Sequence, residues 1–135
     1  MTIDTSGEWW HGTEPKDVAA YLRAFSADSY PVSQVNLLSC SCGAQARHLW
    51  ADETEGVAKV ACPECKAEEY LRDSADFWGE AQPEAWSCLE CGSEVCDVGV
   101  GLSFYRMSQD VRWVYVGVRC AACGLLGCFA AWAER

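Results

Sequence analysis

Eight of the ten cysteines fall in four close pairs: Cys40-Ser41-Cys42, Cys62-Pro63-Glu64-Cys65, Cys88-Leu89-Glu90-Cys91 and Cys120-Ala121-Ala122-Cys123. Two cysteines one or two residues apart can turn both sulfurs toward one point. Two such turns at the ends of one β-hairpin supply four soft ligands for a tetrahedral ion, at about 2.3 Å from the metal. Gly43, Gly92 and Gly124 each follow the second cysteine of a pair, and Lys66 takes that place after Cys65. A glycine there accepts positive φ and lets backbone N–H groups approach and steady the thiolates.

The stretches between the pairs repeat one grammar. The first runs from Cys40 through a strand-like segment at 44–51, a polar turn Asp52-Glu53-Thr54-Glu55-Gly56 and a strand at 57–61 to Cys62. The second runs from Cys88 through a strand at 95–105, a turn Met107-Ser108-Gln109-Asp110 and a strand at 111–119 to Cys120. The cysteine pairs are 19 and 28 residues apart. In the longer repeat Val98, Val100, Leu102 and Phe104 alternate onto one face, and Val114, Val116 and Val118 share one face of the next strand. Residues 126–133 are expected to add a third strand.

This pattern resembles the zinc-ribbon family, built from paired rubredoxin-like knuckles, over 40–65 and 88–123, a little under half the chain. Carried over residue by residue, the resemblance implies one site from Cys40, Cys42, Cys62 and Cys65. It implies another from Cys88, Cys91, Cys120 and Cys123. The cofactor expected is structural zinc, two per chain, with iron as the alternative that four-thiolate knuckles also hold. The first knuckle departs from the family by being one residue short. A crossed arrangement that joins Cys62 and Cys65 to Cys88 and Cys91 stays open, at the expense of the hairpin logic. The whole chain also looks like small uncharacterised proteins of high-GC Gram-positive bacteria, a likeness that implies no activity. Cys96 and Cys128 lie outside the pairs. Cys96 shares a face with Val98 and Val100, and both cysteines read as small buried hydrophobes. A replacement ligand or a thiol pair is the other reading.

Before the first pair, a helix is expected with Thr13 as N-cap, Pro15 in the first turn and Asp17 at the positive helix end. Val18, Tyr21, Leu22 and Phe25 form one apolar face, and the helix fades at 27–30 before Pro31. An extended segment at 32–38 follows. Between the repeats, 73–85 reads as a short helix or structured loop ended by Pro83. The expected fold class is α+β, an N-terminal helix packed on two tandem zinc-ribbon-like antiparallel β-hairpins. It forms one compact domain over 1–135, with segments 1–38, 39–75 and 76–135.

Charge narrows the function. Twenty acids against ten bases give −10, and two ions on four thiolates each would take it to −14. The excess is even: five acids against two bases in 1–38, seven against four in 39–75, eight against four in 76–135. Such a chain is a poor nonspecific nucleic-acid binder. Arg106, Arg112 and Arg119 are the only candidates for a basic patch, and Arg112 and Arg119 differ in strand parity. The longest uncharged apolar stretch, 120–133, has 14 residues, too short to span a membrane. Asp4 and Glu8 stand where a signal peptide has its basic start and apolar run. A cytoplasmic location is expected, where thiols stay reduced and serve as metal ligands rather than disulfides.

Catalytic signals are missing. The two histidines, His11 and His48, read as a segment neighbour of Trp10 and a cross-strand surface residue. A deaminase His-x-Glu signature is absent. Gly99-Val100-Gly101 lacks a third glycine and a following helix, so it is a strand feature rather than a nucleotide loop. Of seven tryptophans, Trp50, Trp113 and Trp132 fall on strands and read as core, while Trp9, Trp10 and Trp78 are candidates for a docking patch. The expectation is a non-enzymatic, acidic protein–protein interaction or inhibitor/immunity-type module whose partner is a basic protein. A rubredoxin-like iron electron carrier and a nucleic-acid-associated zinc-ribbon regulator are the alternatives.

Overall fold

The computed structural model describes residues 3–134; residues 1, 2 and 135 of the expected domain span lie outside the described residues. Chain order is β1 (Ile3–Asp4), β2 (His11–Gly12), α1 (Asp17–Ser26), β3 (Gln34–Leu37), β4 (His48–Asp52), β5 (Val57–Ala61) and β6 (Glu68–Tyr70). Then come α2 (Ser74–Phe77), β7 (Glu84–Ala85), β8 (Cys96–Phe104), β9 (Val111–Cys120) and β10 (Leu126–Ala133). The class is mixed α+β, mostly strand, with antiparallel sheets.

Both repeats form hairpins. In the first, His48 pairs with Ala61 and Asp52 with Val57. The Asp52 carboxylate accepts the Thr54 N–H at 3.0 Å and so shapes the polar turn. In the second, Cys96 pairs with Cys120 and Val100 with Val116. In each, the strand after the second cysteine pair folds back on the hairpin: β6 on β5, and β10 on β9.

The fourth strand of each sheet comes from the other repeat. The sheets run β10-β9-β8-β3 and β6-β5-β4-β7. β3 leads into the first cysteine pair yet pairs with β8 of the second hairpin. β7 leads into the third cysteine pair yet pairs with β4 of the first. The correspondence extends to single bonds. Leu38 donates its N–H to Val98 O at 2.9 Å, and Trp86 donates its N–H to Leu49 O at 2.8 Å. Leu38 and Trp86 each stand two residues before a knuckle's first cysteine. At the centre Arg47 and Cys96 exchange both backbone bonds, 2.7 and 2.9 Å. With the one-residue deficit of the first knuckle counted, these two occupy equivalent positions in the repeats. The chain therefore has an approximate internal two-fold relation with exchanged leading strands.

One hydrophobic cluster joins the sheets. Leu49, Val60, Leu71 and Trp86 of the first meet Val98, Val100, Val114, Val116 and Trp132 of the second. The alternation read from the longer repeat is the face that makes this contact. The other face of β8 and β9 is also covered, by α1, which is why eight of the nine residues of β8 are buried.

The expectation of a helix across both hairpins needs correction. α1 lies on β9, β10, β8 and β3, strands of one sheet. Val18 and Leu22 are fully buried there, whereas Phe25, expected on the same face, is 53% exposed. The expected cap also fails. The helix starts at Asp17, and its carboxylate accepts the Thr13 and Glu14 N–H groups at 2.9 and 3.1 Å, closing the preceding turn instead. The strand glycines explain the close seating. A Cβ on Gly117 would lie 2.8 Å from Leu22 carbons, and one on Gly99 2.8 Å from Val18 Cγ1.

Gly117→Ala is expected to cost about 1–3 kcal/mol by overpacking the helix seat. Gly79→Ala, where a Cβ meets nothing within 4 Å, should stay within about 0.5 kcal/mol. Denaturant unfolding of both variants checks this, and equal stabilities would refute the helix seat.

Candidate metal centres

Each hairpin ends where its cysteines begin. β5 ends at Ala61 beside Cys62, and β9 ends on Cys120 itself. The first cysteine of each turn accepts the N–H three or four residues on: Gly43, Lys66, Gly92 and Gly124 donate to Cys40, Cys62, Cys88 and Cys120 at 2.9–3.0 Å. Those four donors have φ of +99°, +67°, +77° and +85°. Lys66 thus adopts the backbone that the three glycines adopt, strained for a residue with a Cβ. Its ammonium donates to Pro63 O at 2.9 Å, tying the side chain back to the same turn.

The turns bring the sulfurs together in two groups, Cys40, Cys42, Cys62, Cys65 and Cys88, Cys91, Cys120, Cys123, with all four atoms of a group within 4.8 Å of one another. Sulfur–sulfur contacts across each group are 3.3 Å for Cys40–Cys65, 3.6 Å for Cys42–Cys62, and 3.5 Å for both Cys88–Cys123 and Cys91–Cys120. A tetrahedron with metal–sulfur distances of 2.3 Å has an edge of about 3.8 Å, so both donor sets fit a four-thiolate ion. The hairpin pairing holds, and the crossed alternative falls: Cys62 and Cys65 converge with Cys40 and Cys42. The short first knuckle closes as well, with Cys40 N–H on Ala44 O at 2.8 Å, one residue earlier than in the other three.

The groups are electrostatically prepared for a cation. The N–H of Cys65 brings the Cys62 thiol down to about 6 against the effect of burial. Burial raises Cys120, but the N–H groups of Cys123 and Ala122 outweigh it and the thiol falls to about 7. Within the same sets, Cys42 receives the Ala44 N–H, yet proton sharing with the Cys40 and Cys62 sulfurs holds it up at about 12. Burial does most to push Cys123 up to about 12. Each set thus holds thiolate and thiol together, and a metal must displace the remaining protons.

Beside the first group lies a buried cation. Arg47 is 3% exposed and shares a hollow with Ser39, Cys40, Ser41, Glu68 and Glu69. Its Nη2 is 3.9 Å from Glu69, and its Nε has no acceptor among the described residues. A guanidinium held there opposes the negative charge of a four-thiolate centre. The second group is flanked instead by the N-terminal segment. Gly12 donates to Gly124 O and Leu126 to Trp10 O, each at 2.8 Å, and His11 bonds to Glu90 within the third knuckle. A Cβ on Gly124 would sit 2.5 Å from Gly12 O. Sequence reasoning missed this latch because nothing local in residues 3–12 announces it.

The other residues singled out take up their own places. Cys96 is fully buried among the valines, and its thiol is pushed far up by burial. Cys128 is half-buried and raised to about 12, also by burial. Neither joins a sulfur group, and all ten cysteines are unbridged. His48 bonds through Nδ1 to Glu94 O at 3.2 Å. Trp132 is buried, while Trp50 and Trp113 are half-buried; Trp86 is a buried core residue that sequence reasoning passed over. Trp9 is 40% exposed and Trp10 packs edge-on to Tyr21. Trp78 does not join them. With Trp50 and Tyr70 it surrounds the Lys59 ammonium, at 5.2, 5.2 and 5.8 Å, an arrangement legible only once β5 and β6 are paired. The basic candidates are divided: Arg119 is bound to Asp97 at 2.8 Å and Gly12 O at 2.7 Å, and Arg112 lies over Tyr30 at 4.2 Å. Arg106 is exposed.

Among the described residues no helix is long and apolar enough to cross a membrane. The chain matches no family model, no curated protein and no solved structure. Two four-cysteine groups positioned to bind metal are what the geometry defines.

Cys62→Ser and Cys120→Ser are each expected to lower bound metal from two ions per chain to one, whereas Cys96→Ser leaves two; elemental analysis of the purified variants reads this directly. Metal affinity should also depend on pH. Sulfurs that are thiolates in the loaded fold have pKa values below the ordinary thiol value of about 8.5, so their contribution is complete above it and lost as pH falls. Near neutral pH Cys42 and Cys123, held at about 12, carry protons that the metal must displace, and Cys120 near 7 and then Cys62 near 6 take up protons as pH falls further, so zinc affinity measured against a competing chelator should fall from about pH 8 to about pH 6 and steepen over that range. A flat profile would mean that thiolates are not the ligands.

Proposed function

We propose that this protein is a non-enzymatic module held together by two structural zinc ions, and that it acts by binding another protein. The observation that carries this reading is the completeness of the two donor sets. Four sulfurs occupy all four positions of a tetrahedral ion, Cys40, Cys42, Cys62 and Cys65 in one and Cys88, Cys91, Cys120 and Cys123 in the other. A catalytic zinc keeps a position for water or substrate. Bound there, zinc supplies cross-linking charge neutralisation, and the chain's own N–H groups and Arg47 balance the thiolates. The unbridged cysteines suit a reducing compartment such as the cytoplasm.

The net charge of −10 favours a basic protein as partner, in the manner of an inhibitor or immunity-type protein. Nucleic acid is a weaker reading, because Arg112 and Arg119 are engaged with aromatic rings, Asp97 and backbone rather than lined up on one surface. A rubredoxin-like iron carrier is the second reading. It is favoured by the exposure of Cys42, Cys65, Cys91 and Cys123, which would bring one side of each centre to the surface where electrons transfer.

Elemental analysis of protein purified under reducing conditions should return two zinc ions per chain and a colourless sample. Iron with visible absorption would replace the zinc reading by electron transfer. Metal-free, fully folded protein would remove the structural-metal reading altogether.

A further inference from the structure

An apolar groove runs between α1, the segment around Trp9, the third knuckle and β10. Its volume is about 310 Å³, and its walls include Trp9, Tyr21, Phe25, Leu89, Leu126 and Phe129. Three of these side chains come from separate elements and are unusually open: Trp9 at 40%, Phe25 at 53% and Leu89 at 77%. Helical spacing puts Phe25 on one apolar face of α1 with Val18, Tyr21 and Leu22. The helix face instead runs off the edge of the sheet, and its last aromatic ring becomes groove wall. The floor is rigid, since Trp86, Val118 and Leu125 are buried core or knuckle residues. A concave site lined mainly by apolar and aromatic side chains from three elements is the kind of place where apolar anchors of a ligand seat.

We propose that this groove receives the partner, and that the occupant is a protein segment presenting leucine- or phenylalanine-type side chains flanked by lysine or arginine. The proposal rests on the protein-interaction reading above and locates it. Charge selects the occupant. Among the described residues no lysine or arginine lines the groove or the adjoining hollow of about 250 Å³, and Glu8 lines the latter. Glu90 directly follows Leu89 and is held by His11. On the far side Glu53 accepts the Ala131 N–H at 2.8 Å and acts on Cys128 in the groove wall. Apolar anchors would fill the groove while flanking cations meet these carboxylates. A second copy of this chain would bring the same carboxylates against them, and an anionic membrane surface would be repelled in the same way. The groove also leans on the second metal centre, because Ser87 and Leu89 flank its ligand Cys88.

The test uses the metal-loaded full chain and three labelled amphipathic peptides: one with leucine anchors and lysine flanks, one with the same leucines and glutamate flanks, and one with serine for leucine and the same lysines. Fluorescence anisotropy should find binding of the leucine–lysine peptide alone. Phe25→Ala and Leu89→Ala, both at exposed positions, should each weaken it by about tenfold, with metal content unchanged. Equal binding of the serine–lysine peptide, or unchanged affinity in both variants, overturns the groove while leaving a basic partner elsewhere on the surface. Equal binding of the glutamate-flanked peptide overturns the charge argument and the groove's stated occupant with it. No binding of any peptide, with two zinc ions still present, overturns the groove as the partner's site. Preferential binding to phosphatidylserine vesicles would assign the face to a membrane and overturn the proposal.

Discussion

Everything in this fold hangs on bringing eight sulfurs to the ends of two hairpins. Sulfurs 3.3–3.6 Å apart repel one another when all are thiolates. Without a cation the chain divides each set between lowered and raised thiols, as at Cys62 and Cys42. A metal ion removes that conflict. A structural zinc site contributes about 10–16 kcal/mol in small modules, as large as the whole net stability of a typical domain, about 5–15 kcal/mol. Strand pairing then sets where the sulfurs meet, and the ion sets how firmly the hairpin ends are closed.

Local patterns were legible in the sequence, and long-range ones were not. The knuckle spacings, the positive-φ positions and the alternation of Val98, Val100 and Leu102 are properties of a few neighbouring residues, so they could be read directly. Even Lys66, which lacks the glycine's freedom, betrays its role by standing fourth after Cys62, where the other long knuckles place Gly92 and Gly124. The docking of α1 depends on which face of a sheet is left open, and no local pattern encodes that. Its trace was present in Gly99, Gly101 and Gly117, small residues alternating on the face opposite the valines. Thr13 looked like a cap because cap propensity is local. Asp17 overrode it by bonding the two upstream N–H groups. Trp86 was hidden in a segment with no periodicity, and its burial follows from the bond of its N–H to Leu49 O.

The exchange of leading strands changes what the repeat means physically. Neither hairpin completes its four-stranded sheet from its own segment: β3 pairs with the second hairpin and β7 with the first. The Arg47–Cys96 pair sits at equivalent positions of the two repeats and ties the hairpins to each other. That also accounts for the residue types there. Both side chains are enclosed where the repeats meet, and each repeat has solved the enclosure differently, with a guanidinium near the first centre and an uncharged thiol near the second. The two repeats share one hairpin-and-knuckle grammar and differ in the groups that stand beside their sulfurs.

That divergence leaves the surroundings of the two sulfur groups unlike. The first centre has a buried cation beside it, and the strands next to it carry the Lys59 cage, whose aromatic surface is already occupied by the protein's own ammonium. At the second centre the N-terminal segment is latched by Gly12, Trp10 and Arg119, and its own aromatic residue, Trp9, is left facing outward beside Phe25 and Leu89. The latch spends its hydrogen bonds on backbone and on the Glu90 carboxylate, so the apolar side chains above it remain unused. An aromatic surface filled from within is a structural device. An aromatic surface left open beside carboxylates and a knuckle turn, with Trp86, Val118 and Leu125 buried beneath it, has no such internal occupant among the described residues.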